Sequence, residues 1–172
     1  MNALRLTLIH REALRRLQDA KTLAEANNSN PFSDSSHLLS LLGFELLLKF
    51  VYEISLGRAA PPTHKYHALF AALPDEIQTK IVASANARIG RSAIDGNLAD
   101  MLKEWAENFV ALRYPYEKYV DMTEEDYKKL GTEWASRGGQ LSEATFRYHP
   151  EELFGIVHAL QCIADDMAKK SI

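Results

Sequence analysis

The chain has 172 residues and a mass of 19.4 kDa, with 47% apolar and 25% charged residues, which fits one globular domain and excludes wholesale disorder. Its single cysteine, Cys162, excludes a disulfide framework and a cysteine-built metal site. The net charge of −3 excludes a generally basic nucleic-acid coat. The charge is unevenly distributed, because residues 1–94 hold 11 Lys and Arg against 8 Asp and Glu, whereas residues 95–172 hold 9 Lys and Arg against 15 Asp and Glu.

The apolar segments predict neither a signal peptide nor a membrane span. The first apolar run is interrupted by Arg5, and the strongest run, 38–54, contains Glu45, Lys49 and Glu53. These charges would make insertion into a bilayer costly. We therefore expect a cytoplasmic protein with no membrane partner.

Helical periodicity predicts two long helices in the first third of the chain. Apolar residues three or four positions apart indicate a first helix over 4–27, ended by a turn at 27–31. Ser33 or Asp34 would cap a second helix that runs to about Ser55. This helix is apolar on most of its circumference, so we expect it to be the central element.

The middle of the chain predicts three further helices. Thr63 would cap a short one over 64–73, and Pro74 would open a fourth over 75–90. The fifth would cover 98–112. Its periodicity assigns one face to the core, namely Leu98, Leu102, Trp105, Phe109 and Leu112.

The last third of the chain predicts a peripheral helix, an irregular stretch and a closing helix. Thr123 would cap a sixth helix over 123–136, and the stretch 140–148 would be irregular before a last helix over 150–167. Three residues of the sixth helix are predicted to point inward, namely Tyr127, Leu130 and Trp134. No segment shows the alternation of a strand. The predicted fold is therefore all-α, a single up-and-down helical bundle that forms one domain over 1–172.

Polar residues of the second helix are the first candidates for chemistry. Glu45, Lys49 and Glu53 are four positions apart, so they share one face of an otherwise apolar helix. They would form a solvated stripe, or an ion pair that stabilises the helix, or the rim of a cleft or dimer seam.

Four histidines are further candidates. His64 and His67 have a spacing that suits a metal, but no third ligand is evident, and a hydrogen bond from His64 to a neighbouring helix is the simpler interpretation. His149 and His158 could each supply a base in a folded cleft, although a structural role is simpler for both. No P-loop, dinucleotide fingerprint or zinc spacing is present, so we expect no metal and no cofactor.

The most unusual stretch follows the fifth helix and reads RYPYEKY, over 113–119. The guanidinium of Arg113 matches the geometry of a phosphate, and tyrosines can stack on bases. The alternative is a buried Arg113 that pairs with a carboxylate such as Glu45, with the tyrosines as packing.

Together these segments resemble the HEPN domain, a helical family of prokaryotic toxins, ribonucleases and nucleotidyltransferase partners. The resemblance covers about residues 5–119 and is carried by ELLLK at 45–49, THKYHALF at 63–70 and LRY at 112–114. It implies a helical bundle and a symmetric homodimer. In the family's ribonucleases, each copy places an arginine, followed four to six residues later by a histidine, in a shared cleft. The arginine holds the phosphate and the histidine helps to move the proton of the RNA 2′-hydroxyl.

This chain departs from that motif after the arginine. Arg113 fits the arginine position, but the window that follows holds Glu117, Lys118 and Tyr119 and no histidine. Because an ordinary tyrosine is a poor base at neutral pH, Tyr119 is a weak substitute. We place Arg113 and Tyr119 in the catalytic positions. The residues expected to contact the substrate are Glu45, Lys49, His64, Tyr114, Tyr116 and Lys118.

Three functions remain open on the sequence. The first is a HEPN-like homodimer that binds RNA, a nucleotide or a partner protein without efficient catalysis. The second is a metal-independent endoribonuclease of the toxin or defence type that uses Arg113 with another base. The third is a pure interaction module of a toxin–antitoxin or defence pair. The resemblance also implies a nucleotidyltransferase or antitoxin as partner, with Tyr116 or Tyr119 as a residue that such a transferase modifies.

Overall fold

The computed structural model describes residues 3–26 and 33–171, with the side chains of Leu141 and Ser171 left aside. Over these residues the chain forms α-helices and no strand, so the predicted all-α class is confirmed. The turn predicted at 27–31 lies outside the described residues. The helices are α1 (Ala3–Ala26), α2 (Asp34–Leu56), α3 (Tyr66–Ala71), α4 (Asp75–Ile89), α5 (Ile94–Ala111), α6 (Glu124–Ser136) and α7 (Pro150–Ser171), with short 3₁₀ helices at Pro115–Tyr119 and Leu141–Glu143.

Helices α1 and α2 pack as an antiparallel pair that depends on Gly43. Near the start of α1, Arg5 lies beside Glu53 close to the end of α2. In the middle of the pair, a Cβ added at Gly43 would lie 2.6 Å from Leu17 Cγ. Only glycine therefore allows the two helices to approach this closely.

Helix α2 is the centre of the bundle, as its composition predicts. Ser33 caps it, because its Oγ accepts a hydrogen bond from the Ser36 amide at 3.2 Å. The buried ring of Phe44 packs edge-on against Tyr66 of α3 at 5.1 Å and against Trp105 of α5 at 5.4 Å between centroids. Complete burial of such a side chain contributes about 1.5–3 kcal/mol, so α2 holds α3 and α5 in place.

Helix α7 closes the bundle against α2 and α4. Its apolar face is largely buried, with Ile156 and Leu160 fully inaccessible. The Tyr148 hydroxyl, just before the helix, donates a hydrogen bond to Asp34 Oδ1 at 2.6 Å. The first turn of α7 therefore lies beside the first turn of α2.

Two helices begin elsewhere than predicted. Helix α3 starts at Tyr66 rather than at residue 64, because the Thr63 hydroxyl accepts the Lys65 amide at 3.1 Å and caps a turn instead of a helix. Helix α5 starts at Ile94, ahead of the predicted residue 98, because the Ser92 hydroxyl accepts the Ile94 amide at 3.2 Å. A kink at Asn97 follows that added turn.

Helix α6 is peripheral, as predicted, but its inward face is weaker than its periodicity suggests. The Thr123 hydroxyl caps it by accepting the Asp126 amide at 3.1 Å. Leu130 and Trp134 are partly buried, whereas Tyr127 is 55% exposed, so its predicted inward position is wrong. Across the described parts of the chain, no helix combines the length and apolarity that a membrane span requires.

Candidate functional site

Glu45 is the buried centre of a polar cluster, which we call the Glu45 cluster and which comprises Glu45, Lys49, His64 and Tyr66. The Glu45 carboxylate is 4% exposed. One oxygen accepts a hydrogen bond from Lys49 Nζ at 2.6 Å, and the other lies 2.7 Å from His64 Nδ1. Burial, together with the negative charge of Glu45, raises the pKa of Tyr66. Tyr66 therefore stays a neutral hydroxyl, and it has no hydrogen-bond partner of normal geometry among the described residues.

Glu53 is a second buried carboxylate and pairs with the half-exposed Arg5, so the solvated stripe of Glu45, Lys49 and Glu53 is wrong. Glu53 is 1% exposed. It accepts hydrogen bonds from Arg5 Nε at 3.1 Å, from Arg5 Nη2 at 2.8 Å and from the Ala60 amide at 3.1 Å. Burial alone would raise the pKa of Glu53, but these hydrogen bonds and the Arg5 charge outweigh it and hold that pKa below its ordinary value. Helix α2 thus carries two buried carboxylates with different partners.

Arg113 is exposed and lies on an aromatic ring. Its guanidinium carbon is 5.2 Å from the centroid of the Phe109 ring. The same ring packs against the His64 ring, with centroids 4.9 Å apart. Lys49 and His64 occupy the two oxygens of Glu45, and no ion pair joins Arg113 to Glu45 in the described part of the chain. The alternative of an Arg113 buried against Glu45 is therefore wrong.

An open groove of about 980 Å³ runs between the segment 62–67 and the outer face of α5, and we call it the α3–α5 groove. Its polar lining contains three lysines, two glutamates and two histidines, namely Lys65, Lys103, Lys118, Glu107, Glu117, His64 and His67. Leaving the histidines aside, the groove has a small positive excess. Lys103 also pairs with Asp100 at 2.7 Å, so Lys65 and Lys118 are the cations least engaged by the protein.

Most predicted site residues lie in or next to this groove. His64, Tyr114 and Lys118 line it, and Arg113 adjoins it through Phe109. The Tyr116 ring is 64% exposed and packs edge-on against Tyr114 at 6.3 Å between centroids. Glu45 and Lys49 do not line the groove, and Glu45 is connected to it by its hydrogen bond to His64.

Tyr119 does not line the groove, although it follows Lys118 in the same short 3₁₀ helix. Its ring packs against Tyr127 at 5.1 Å between centroids. Among the described residues no hydrogen bond, ion pair or ring contact joins Tyr119 to Arg113. The structure therefore does not bring the two predicted catalytic residues together.

His149 and His158 also lie away from the groove lining. His149 Nε2 lies 2.7 Å from Glu104 Oε2, and the other oxygen of Glu104 accepts a hydrogen bond from Arg147 Nη1 at 2.6 Å. His149 has a φ of 45°, which is uncommon for a residue other than glycine and fixes the entry to α7. His158 Nε2 lies 3.8 Å from Cys162 Sγ on α7. Within the described ranges no three His, Cys, Asp or Glu side chains are grouped to hold a metal.

The α5 side of the groove is the part that the sequence interpretation missed. Lys103, Ala106, Glu107 and Val110 line it. They lie three or four positions apart on the face of α5 opposite the buried Trp105. Helical periodicity could have placed them together, because the same pattern predicted the buried face.

Comparison with known proteins identifies no relative of this chain. No protein-family model matches the chain, and neither the curated proteins nor the solved structures compared with it give a match. The likeness to the HEPN domain is therefore carried by the three sequence segments alone.

Proposed function

We propose that the chain binds single-stranded RNA or a nucleotide at the α3–α5 groove, as a HEPN-like protein of the cytoplasm that does not cleave efficiently. One observation carries this function. The exposed Arg113 and the half-exposed His64 share the Phe109 ring at the edge of a groove that also presents Lys118. This arrangement combines a phosphate-binding group with neighbouring cations and aromatic rings.

Arg113 is the group best suited to hold a phosphate. A guanidinium donates two parallel hydrogen bonds to phosphate oxygens, and the Phe109 ring beneath it restricts its orientation. No acidic partner pairs with Arg113 among the described residues, so a phosphate would not have to displace a carboxylate. Lys65 and Lys118 add positive charge along the groove.

Tyr114 and Tyr116 offer stacking surfaces for bases. Their rings are 54% and 64% exposed and lie directly after Arg113 in the chain. Stacking of a base on an exposed aromatic ring contributes about 1–3 kcal/mol and tolerates any base. We therefore expect binding with little sequence preference.

Tyrosine variants test this function by fluorescence anisotropy with a labelled single-stranded RNA of about 12 nucleotides. Tyr114→Ala should weaken binding about fivefold or more, because a stacking surface that lines the groove is lost. Tyr127→Ala is the matched control, since Tyr127 is similarly exposed, at 55%, but lies on α6 outside the groove. Equal effects of the two variants, or no binding by the wild-type protein, would refute RNA binding at this groove.

An endoribonuclease is the second candidate, and the Glu45–His64 contact favours it. A buried carboxylate that binds His64 Nδ1 orients the ring and leaves Nε2 for a substrate. In this reaction Nε2 would take the proton of an RNA 2′-hydroxyl, and the 2′-oxygen would attack the adjacent phosphorus. The 5′-oxygen would leave and take a proton from solvent, giving a 2′,3′-cyclic phosphate and a 5′-hydroxyl end. Arg113 would stabilise the negative charge that develops on the phosphate oxygens.

Cleavage assays in excess chelator separate the two candidates. The endoribonuclease predicts RNA cleavage that is lost in His64→Gln and retained in His67→Gln, whose imidazole lies in the same groove without a described bond to Glu45. Single-stranded DNA of the same sequence should stay intact, because it lacks the 2′-hydroxyl. If RNA stays intact after incubation with micromolar wild-type protein, the endoribonuclease is rejected and binding without cleavage is the proposed function that remains.

A homodimer is the assembly that the exposed surface favours. Six of the ten exposed large apolar side chains among the described residues lie within 110–127, namely Val110, Tyr114, Tyr116, Val120, Met122 and Tyr127. Such a concentration is typical of an interaction surface. We propose that a second copy covers the part of this surface around Val120 and Met122 and leaves Tyr114 and Tyr116 open to bases. In place of the second copy, a nucleotidyltransferase or antitoxin partner would use the same part of the surface.

Sedimentation velocity tests this assembly. The wild-type protein should sediment as a dimer at micromolar concentration, and Val120→Lys should produce a monomer that keeps its helical content. Val120 is suited to this test because it is 67% exposed and its substitution should not disturb the core. A wild-type protein that stays monomeric at high concentration would refute the dimer.

A further inference from the structure

A second cavity, of about 430 Å³, lies between the second half of α1 and the first turns of α2 and α7. We call it the His37 cavity, because His37 lines it from α2. Most of its wall is apolar and includes Leu17, Ala20, Ala24, Leu153 and Phe154. This opening shares no lining residue with the α3–α5 groove.

His37 lines this cavity and carries an unused hydrogen-bonding atom. The residue is 9% exposed, and its Nε2 is buried without a hydrogen-bond partner in the described chain. Its ring is held edge-on against Tyr148 at 4.7 Å between centroids, and the Tyr148 hydroxyl is fixed by Asp34. Burial lowers the pKa of His37 to about 4, so the imidazole is neutral near pH 7. A buried polar atom of this kind gains from any ligand that pairs with it.

The two serine hydroxyls of the cavity are already engaged, and Gln161 of α7 is partly exposed to solvent. The Ser36 hydroxyl donates to the Ser33 carbonyl at 2.8 Å, and the Ser40 hydroxyl donates to the Ser36 carbonyl at 3.0 Å. Lys21 is the one charged residue among the described lining residues, and its ammonium lies 3.7 Å from Glu25. These features favour a neutral ligand that is apolar except at one point.

We propose that the His37 cavity binds a small neutral molecule of the phenol type, with an apolar body and one hydroxyl that pairs with His37 Nε2. A hydroxyl both donates and accepts, so it matches either tautomer of the neutral imidazole. The cavity volume falls within the range of about 300–1,000 Å³ that small-molecule sites occupy. Phe154, which is 52% exposed, supplies an aromatic wall for the ring of such a ligand. This site is independent of the proposed RNA-binding function.

An NMR titration of the full chain with 4-methylphenol tests this site, and 4-fluorotoluene is the matched probe that lacks the hydroxyl. We expect 4-methylphenol to bind with a millimolar or lower Kd and about fivefold more tightly than 4-fluorotoluene, the difference of one net hydrogen bond. In His37→Phe the ring volume is kept, and the two probes should bind about equally. In Ala24→Phe the added ring should fill the cavity and weaken both probes by more than about tenfold.

Two results would overturn the site. One is that neither probe binds the wild-type protein at millimolar concentration. The other is that 4-methylphenol keeps its advantage in His37→Phe, or binds equally well in Ala24→Phe. If His37→Phe does not fold, the pairing is tested in the wild-type protein by the chemical shifts of the His37 imidazole nitrogens. They should shift with 4-methylphenol and not with 4-fluorotoluene, and a shift with both or with neither would reject the pairing.

Discussion

His64 Nδ1 and Glu45 Oε2 lie 2.7 Å apart although the two residues are 19 positions apart in the chain. This contact ties the segment before α3 to the central helix and fixes one edge of the α3–α5 groove. The same carboxylate also holds Lys49 at 2.6 Å. Loss of the Glu45 charge should therefore affect both the stability of the bundle and the shape of the groove.

Glu45→Gln should lower the free energy of unfolding by about 1–3 kcal/mol, because the substitution leaves the cation of Lys49 without its charged partner. Lys49 is only 18% exposed, so water cannot fully replace that partner. Urea unfolding followed by circular dichroism measures the change. Glu124→Gln is the control, since it removes an exposed ion pair with Lys128 and should change the free energy by less than about 0.5 kcal/mol. Similar losses in both variants would contradict the role of Glu45.

Gly43→Ala should destabilise the α1–α2 pair by about 1–3 kcal/mol, because the new methyl group would lie 2.6 Å from Leu17 Cγ. The added Leu17→Ala substitution should recover part of the steric loss in the double variant. Gly131→Ala on α6 is the matched control. No atom lies within 4 Å of its added Cβ, so it should stabilise the helix by up to about 1 kcal/mol. Urea unfolding in which both glycine variants change stability in the same direction would contradict the close packing.

The stability of the fold should depend on the protonation of His37. Burial lowers the pKa of His37 to about 4, with partial opposition from the charge of Asp34, and the ordinary value is 6.5. The unfolded chain therefore binds this proton more tightly. The His37 contribution is complete above about pH 6.5 and is lost as the pH falls toward 4, by about 3 kcal/mol in all.

His37→Phe tests this pH dependence by comparing urea unfolding near pH 7 with unfolding near pH 4.5. The wild-type protein should lose about 2 kcal/mol more than His37→Phe over this interval. Asp34 and Tyr148, which also face His37, are unchanged in the variant. An equal loss in both proteins would show that His37 does not titrate as a buried residue.

The helices could largely be predicted because burial repeats with the helical period. The positions of Leu102, Trp105 and Phe109 on one face of α5 identify the core side, and all three are buried. The start of α5 at Ile94 lies ahead of the predicted residue 98, in a first turn that is separated from the rest of the helix by the kink at Asn97. The apolar periodicity begins only after that kink and therefore does not contain this added turn.

The Glu45 cluster could be predicted only in part. The spacing of Glu45, Lys49 and Glu53 is the same for an exposed stripe and for two buried carboxylates with different partners. The difference arises from partners on other elements, since Arg5 comes from α1 and His64 from the segment before α3. Such contacts depend on tertiary packing, which local periodicity does not contain.

RNA affinity as a function of salt, for the wild-type protein and three arginine variants, tests the central claim that Arg113 binds a phosphate. Fluorescence anisotropy with single-stranded RNA should be measured from about 0.05 to 0.3 M salt. Arg113→Lys keeps the charge but not the two parallel hydrogen bonds. Arg11→Ala removes an exposed arginine of α1, which does not line the groove.

If Arg113 holds a phosphate, Arg113→Ala should bind RNA about tenfold or more weakly, and the slope of log affinity against log salt should become shallower by about 0.7. Arg113→Lys should show the salt slope of the wild-type protein but a lower RNA affinity. Arg11→Ala should match the wild-type protein in both slope and affinity. An Arg113→Ala protein that binds within about twofold of the wild type with an unchanged slope would contradict the assignment of Arg113 as the phosphate-binding residue.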